Sequence, residues 1–118
     1  LTGDRPVKVY RNEDVERIAA FIPRGHMHTR LAIVLPDQVI VLQEATVAAI
    51  VRAYASVALH PTRRALELEN KRLGKRERKP LFAEHQLVET NRGEDEVLDW
   101  AEKLLAEAPG SKQGGLEG

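Results

Sequence analysis

An apolar run, Leu31-Ala32-Ile33-Val34-Leu35, meets Pro36-Asp37 and returns as Val39-Ile40-Val41-Leu42, a pattern that predicts a hairpin over residues 29–43. Pro36 presets φ for the first turn position and Asp37 suits the second. Both strands are apolar on both faces, whereas a sheet wetted on one side alternates with polar residues. Two coverings fit: helices on both faces, or a second copy of the chain. The pattern then changes period. Residues 44–59 carry Val47, Ile50, Val51, Tyr54, Val57 and Ala58 at helical core spacing with alanines around the flank, which predicts a central, nearly all-apolar helix ended by His60-Pro61.

On either side of this centre the signals are shorter. Val7-Lys8-Val9-Tyr10 alternates as a half-buried strand does. Asn12, followed by Glu13, Asp14 and Glu16, reads as the acidic start of a helix whose face is Val15, Ile18, Ala19 and Ile22, closed by Pro23. Residues 63–73 read as another helix, because Arg63/Glu67 and Glu67/Lys71 stand four apart and Gly74 is placed to terminate it. Residues 84–90 alternate as an edge strand. The last helix starts at Gly93-Glu94-Asp95-Glu96, carries the stripe Val97, Ala101, Leu104, Leu105 and Ala108, and stops at Pro109-Gly110. The expectation is an α+β fold: a mixed or antiparallel sheet of about four strands, centred on the 29–43 hairpin, with three to four packed helices. Residues 1–5 are expected to be a flexible N-terminus, 6–108 a single domain and 109–118 a disordered tail.

Composition narrows the class. At 118 residues the chain is long enough for one real core, and with 4% aromatic residues that core must be aliphatic. Cys is absent, which excludes disulfides and thiolate metal sites and favours a cytoplasmic location. No segment reaches the roughly 18 apolar residues of a membrane helix, so no membrane partner is expected. The formal net charge is zero but unevenly spread. Residues 1–60 carry seven Lys/Arg against six Asp/Glu, residues 61–79 eight against three, and residues 80–118 three against nine. A basic middle and an acidic end remain hidden in the total.

Three constellations could carry chemistry. In Gly25-His26-Met27-His28 the two imidazoles, at i and i+2 of an extended chain, project to one side, as two ligands of one divalent metal must, with His60, His85, Glu44 or Glu84 available to complete a set. The same loop gathers Arg24 and Arg30 beside a glycine, and guanidinium groups match phosphate oxygens. The third is the basic run Arg63, Arg64, Lys71, Arg72, Lys75, Arg76, Arg78 and Lys79, which suits the phosphate backbone of DNA or RNA; without interleaved aromatics it does not suit base stacking. Its competing explanation is a salt-bridged helix set against the acidic last helix. Catalytic signals are thin. There is no Cys, no elbow around Ser56 or Ser111, and the adjacent carboxylates are those of helix starts. The chain is therefore expected to be a non-enzymatic nucleic-acid-binding or assembly module, homodimeric and without a cofactor. The alternative is a small metal- or phosphate-dependent enzyme built on His26 and His28.

Overall fold

A computed structural model describes residues 5–77 and 83–108. The expected N-terminal and C-terminal tails fall on residues 1–4 and 109–118, outside the described residues apart from Arg5. In the first sheet, β1 (Arg17–Phe21), β2 (Arg30–Val34) and β3 (Val39–Gln43) run antiparallel in that order. Ala19 stands opposite Ala32, and Ala32 opposite Val41. The expected hairpin is thus the β2–β3 pair, and α1 (Glu44–Ala58) starts at the residue after β3. A second antiparallel sheet holds only β4 (Leu68–Arg72) and β5 (His85–Glu89), and α2 (Glu94–Glu107) closes the chain. The class is α+β; the described residues form two sheets, of three and two strands, and two α-helices, where one sheet of about four strands and three to four helices were expected.

Two expected helices are strands. Asn12–Asp14 forms only a single 3-10 turn, and the chain then pairs as β1 with β2. Ile18, Phe21 and Ile22 favour extended backbone, and Pro23 leaves too few residues for a self-supporting helix, so pairing with the apolar β2 prevails. Residues 63–73 unwind for a similar reason: Leu66 and Leu68 alternate with Glu67 and Glu69, a two-residue period that the i,i+4 charge pairs obscured. Val7–Tyr10, expected as a strand, forms none and pairs with no strand among the described residues. It is held instead at the β2–β3 turn, where the Asp37 carboxylate accepts from Lys8 Nζ at 2.5 Å and Tyr10 Oη at 2.8 Å, and Gln38 Nε2 donates to Tyr10 Oη at 2.8 Å.

Packing inverts one expectation. Helix α1 lies against β2, β3 and β5. Its most buried residue is Ala49, while Ile50, Val51 and Tyr54 of the expected core stripe are exposed. Alanine lets the helix axis come close to the sheet, and the bulky side is left outward. On β3, Ile40 and Leu42 are half-buried and Val39 and Val41 exposed, so α1 covers one face of the sheet and leaves the other open. Among the described residues only Leu35, Ala49, Val97 and Ala108 are buried.

Candidate nucleic-acid interface

The β4–β5 hairpin carries most of the basic run. Its ladder places Leu68 opposite Glu89, Asn70 opposite Leu87 and Arg72 opposite His85, and Leu73 N extends it by donating to Glu84 O at 2.7 Å. Beyond Leu73 the chain turns: Glu77 N donates to Gly74 O at 3.0 Å, and Gly74 N donates to Glu77 Oε1 at 2.9 Å. The hairpin is fixed at its other end. Arg52 Nη2 on α1 donates to Leu87 O at 3.2 Å, and the Glu94 carboxylate at the start of α2 accepts from Arg64 N at 2.8 Å and Ala65 N at 3.4 Å. Those backbone donors hold the Glu94 carboxyl below the usual carboxylate range. Glu94 thus grips the base of the ribbon and Arg52 its middle, while residues 74–77 beyond β4 are exposed.

The basic residues divide between these two ends. Arg63 and Arg64 precede β4 at the base; Lys71 and Arg72 end that strand, and Lys75 and Arg76 follow it toward the turn. Arg63 Nη2 pairs with Glu89 at 2.5 Å, and Arg72 pairs with Glu84 across the strands. Among the described residues Arg64, Lys71, Lys75 and Arg76 have no ion-pair partner and are exposed. Arg78 and Lys79 of the expected site lie outside the described residues. Arg63 and Arg72 are thus neutralised from β5 and its lead-in, not by the acidic last helix of the competing explanation, and Lys71, Lys75 and Arg76 have no ion pair among the described residues. A two-stranded ribbon also has the width that a duplex major groove admits, although cation contacts to phosphate need no groove insertion.

Arg24 stands in the loop leading into β2, and Arg30 is the first residue of that strand. His26 N donates to Pro23 O at 2.9 Å, and Gly25 at the third position of that turn has φ +82°, the left-handed value a type II turn requires there. Arg24 is exposed, and Arg30 Nη1 donates to His28 O at 3.1 Å. The loop ends on Glu44, whose carboxylate accepts from Thr29 N at 2.7 Å and lies 3.4 Å from His28 Nδ1. The Thr29 amide, with His28 second, lowers the Glu44 carboxyl from its usual value.

For a metal, this arrangement brings together one imidazole and one carboxylate. His26 is exposed, His60 Nδ1 accepts from Thr62 N at 3.1 Å and Arg63 N at 2.9 Å, and His85 Nδ1 sits 3.3 Å from Asn70 Oδ1. Among the described residues no three His, Asp or Glu side chains gather as a metal site requires.

The sequence reading missed Arg92. Its guanidinium reaches Glu67 at 2.5 Å, Glu69 at 3.7 Å and Glu96 at 3.9 Å, joining β4 and its lead-in to α2, while Thr90 Oγ1 donates to Glu67 at 2.8 Å. Only the Glu96 contact, four residues away on the chain, had a local signal. A cavity of about 580 Å³ between Lys71, Arg92, Glu69 and Glu89 mixes both charges and offers no isolated acid–base pair. Among the described residues no helix is long and apolar enough to cross a membrane. What fold and surface define is an α+β chain bearing a two-stranded ribbon with exposed cations at Lys71, Lys75 and Arg76. No family model matches the chain, and neither a curated protein nor a solved structure matches it.

Proposed function

We propose that this chain is a non-enzymatic, cytoplasmic, homodimeric module that binds DNA or RNA through backbone phosphates, using the β4–β5 ribbon. The observation that carries the reading is the trio Lys71, Lys75 and Arg76, exposed and without carboxylate partners among the described residues, while the neighbouring Arg63 and Arg72 are paired. Arg64 adds a cation at the base, Arg78 and Lys79 extend the run in sequence, and Arg24 and Arg30 supply a second, smaller group. Free cations attract phosphate most strongly because no internal partner has to be given up, and each phosphate neutralised releases condensed counterions.

The test is fluorescence anisotropy with a short duplex across a salt series. For about four phosphate contacts, affinity falls roughly 100-fold between about 50 and 200 mM salt. The double variant Lys75→Glu/Arg76→Glu binds more weakly at every salt concentration and with a shallower slope. Absence of binding at low salt, or binding indifferent to salt, would remove the proposal.

A further inference from the structure

The connection between β1 and β2, residues 22–29, lies at one end of the three-stranded sheet. At its mouth Phe21 stands directly opposite Arg30, so the two side chains share a face of the sheet. Its corner is the tight turn of residues 23–26, with Arg24 at the second position. Apolar side chains here stay in water: Met27 is 83% exposed, Ile22 56% and Phe21 41%. Polar and cationic ones stand between them. Arg24, His26 and His28 are exposed, and the half-buried Arg30 spends a donor on the His28 carbonyl while keeping the rest of its guanidinium fork.

The charge around this loop has one sign. No Asp or Glu occurs from residue 17 to residue 36, although the whole chain balances 18 Lys/Arg with 18 Asp/Glu; Arg17, Arg24 and Arg30 fall in that stretch. The carboxylate that reaches the loop, Glu44 at the start of α1, accepts from the Thr29 amide at 2.7 Å and lies 3.4 Å from His28 Nδ1. It fixes the return of the loop and leaves Arg24 and Arg30 without an ion pair among the described residues.

We infer that this loop docks on a bilayer surface rich in anionic phospholipid, with Ile22 and Met27 entering the acyl boundary and Arg24 and Arg30 meeting headgroup phosphates. The inference goes beyond the ribbon reading and uses none of Lys71, Lys75 and Arg76; it gives the smaller cation group lipid phosphates as partners. The occupant follows from what each surface can satisfy. A nucleic-acid backbone meets the arginines and leaves Ile22, Met27 and Phe21 in water. An uncharged apolar groove takes the apolar side chains and strips the arginines of water with nothing to pair them. An anionic bilayer sets phosphates immediately above hydrocarbon, so apolar and cationic groups one or two residues apart are matched together. Neither kind of contact holds a protein firmly alone, and the two multiply when made at once. No spanning helix is needed for a loop that only enters the interface.

Because the chain has no Cys, single labels report one position at a time. Met27→Cys carries an environment-sensitive fluorophore in the loop, and Leu59→Cys carries it beyond the far end of α1, about 22 Å from Glu44 at 1.5 Å per residue. Phosphatidylcholine vesicles containing about one third phosphatidylserine should shift the label at 27 to the blue and leave the label at 59 unchanged, while pure phosphatidylcholine shifts neither. In co-sedimentation with the mixed vesicles, Arg24→Gln/Arg30→Gln should bind about 25-fold more weakly, about fivefold for each arginine, and Met27→Ser about tenfold more weakly. Loss of vesicle binding in Lys75→Glu/Arg76→Glu with full retention in Arg24→Gln/Arg30→Gln would assign the attraction to the ribbon and overturn the inference. Vesicle binding without a shift at 27 would also overturn it, as would no binding at low salt, which leaves the loop to an acidic protein partner. Duplex binding by the ribbon stands or falls separately from all of these outcomes.

Discussion

Arg92 is the side chain on which the join between the ribbon and α2 converges. Hydrogen bonds from Arg92 first, and from Thr90 second, hold the Glu67 carboxyl below its ordinary value of 4.5. The unfolded chain therefore takes up this proton before the folded one as pH falls. The Glu67 contribution to stability is full above about pH 4.5 and drains away as pH drops through the lowered folded value. Thermal unfolding followed from pH 7 to pH 3 should show Glu67→Gln less stable than the unmodified chain at neutral pH, with the gap closing on acidification. A constant gap across that range would place the loss in packing instead. Arg92 is well exposed and its bonds are screened, so Arg92→Ala should lower the melting temperature by no more than a few degrees.

At the scale of elements, α2 was the most legible. Its acidic first turn, apolar stripe and Pro109-Gly110 stop gave bounds within a residue or two of Glu94–Glu107. Its buried contact is Val97, whereas Leu105 on the same stripe is 40% exposed. Val97→Ala should cost about 2 kcal/mol in urea unfolding and Leu105→Ala under about 1 kcal/mol, because only the former opens a cavity. The β2–β3 hairpin, α1 and β5 were equally readable from periodicity. Residues 12–22 and 63–73 were not, because their local signals, acidic residues after Asn12 and charges four apart, are compatible with helix while their partners lie in β2 and β5. Strand pairing is a long-range fact, and Arg63 finding Glu89, or Glu67 finding Arg92, leaves no local mark. The same limit applied to the candidate site: the charges were visible, but which were neutralised and which free depended on cross-strand neighbours. On α1 the stripe was correctly seen as apolar and wrongly turned inward, since a pattern shows which residues avoid water and not whose interior they enter.

Taken whole, the molecule holds few buried side chains for its length. Two of the four buried among the described residues are alanines, and α1 leaves its larger apolar side in water. A chain of this size ordinarily buries about two thirds of its unfolded surface. The homodimer proposed above would supply part of the missing burial, and mass action would then make stability depend on protomer concentration. The melting temperature should rise by several degrees between about 1 and 100 µM protein; a midpoint independent of concentration would argue that the single copy is stable by itself.

The outer strand of the three-stranded sheet has one more consequence. Arg17-Ile18-Ala19-Ala20-Phe21 is exposed along its whole length, lacks proline, and has one charge, at its first residue. Sheet margins of this kind recruit further strands unless something shields them. With no proline to block it and its single charge at one end, β1 offers its unpaired margin to lateral stacking, which makes it the place where fibrous aggregation of this chain would begin.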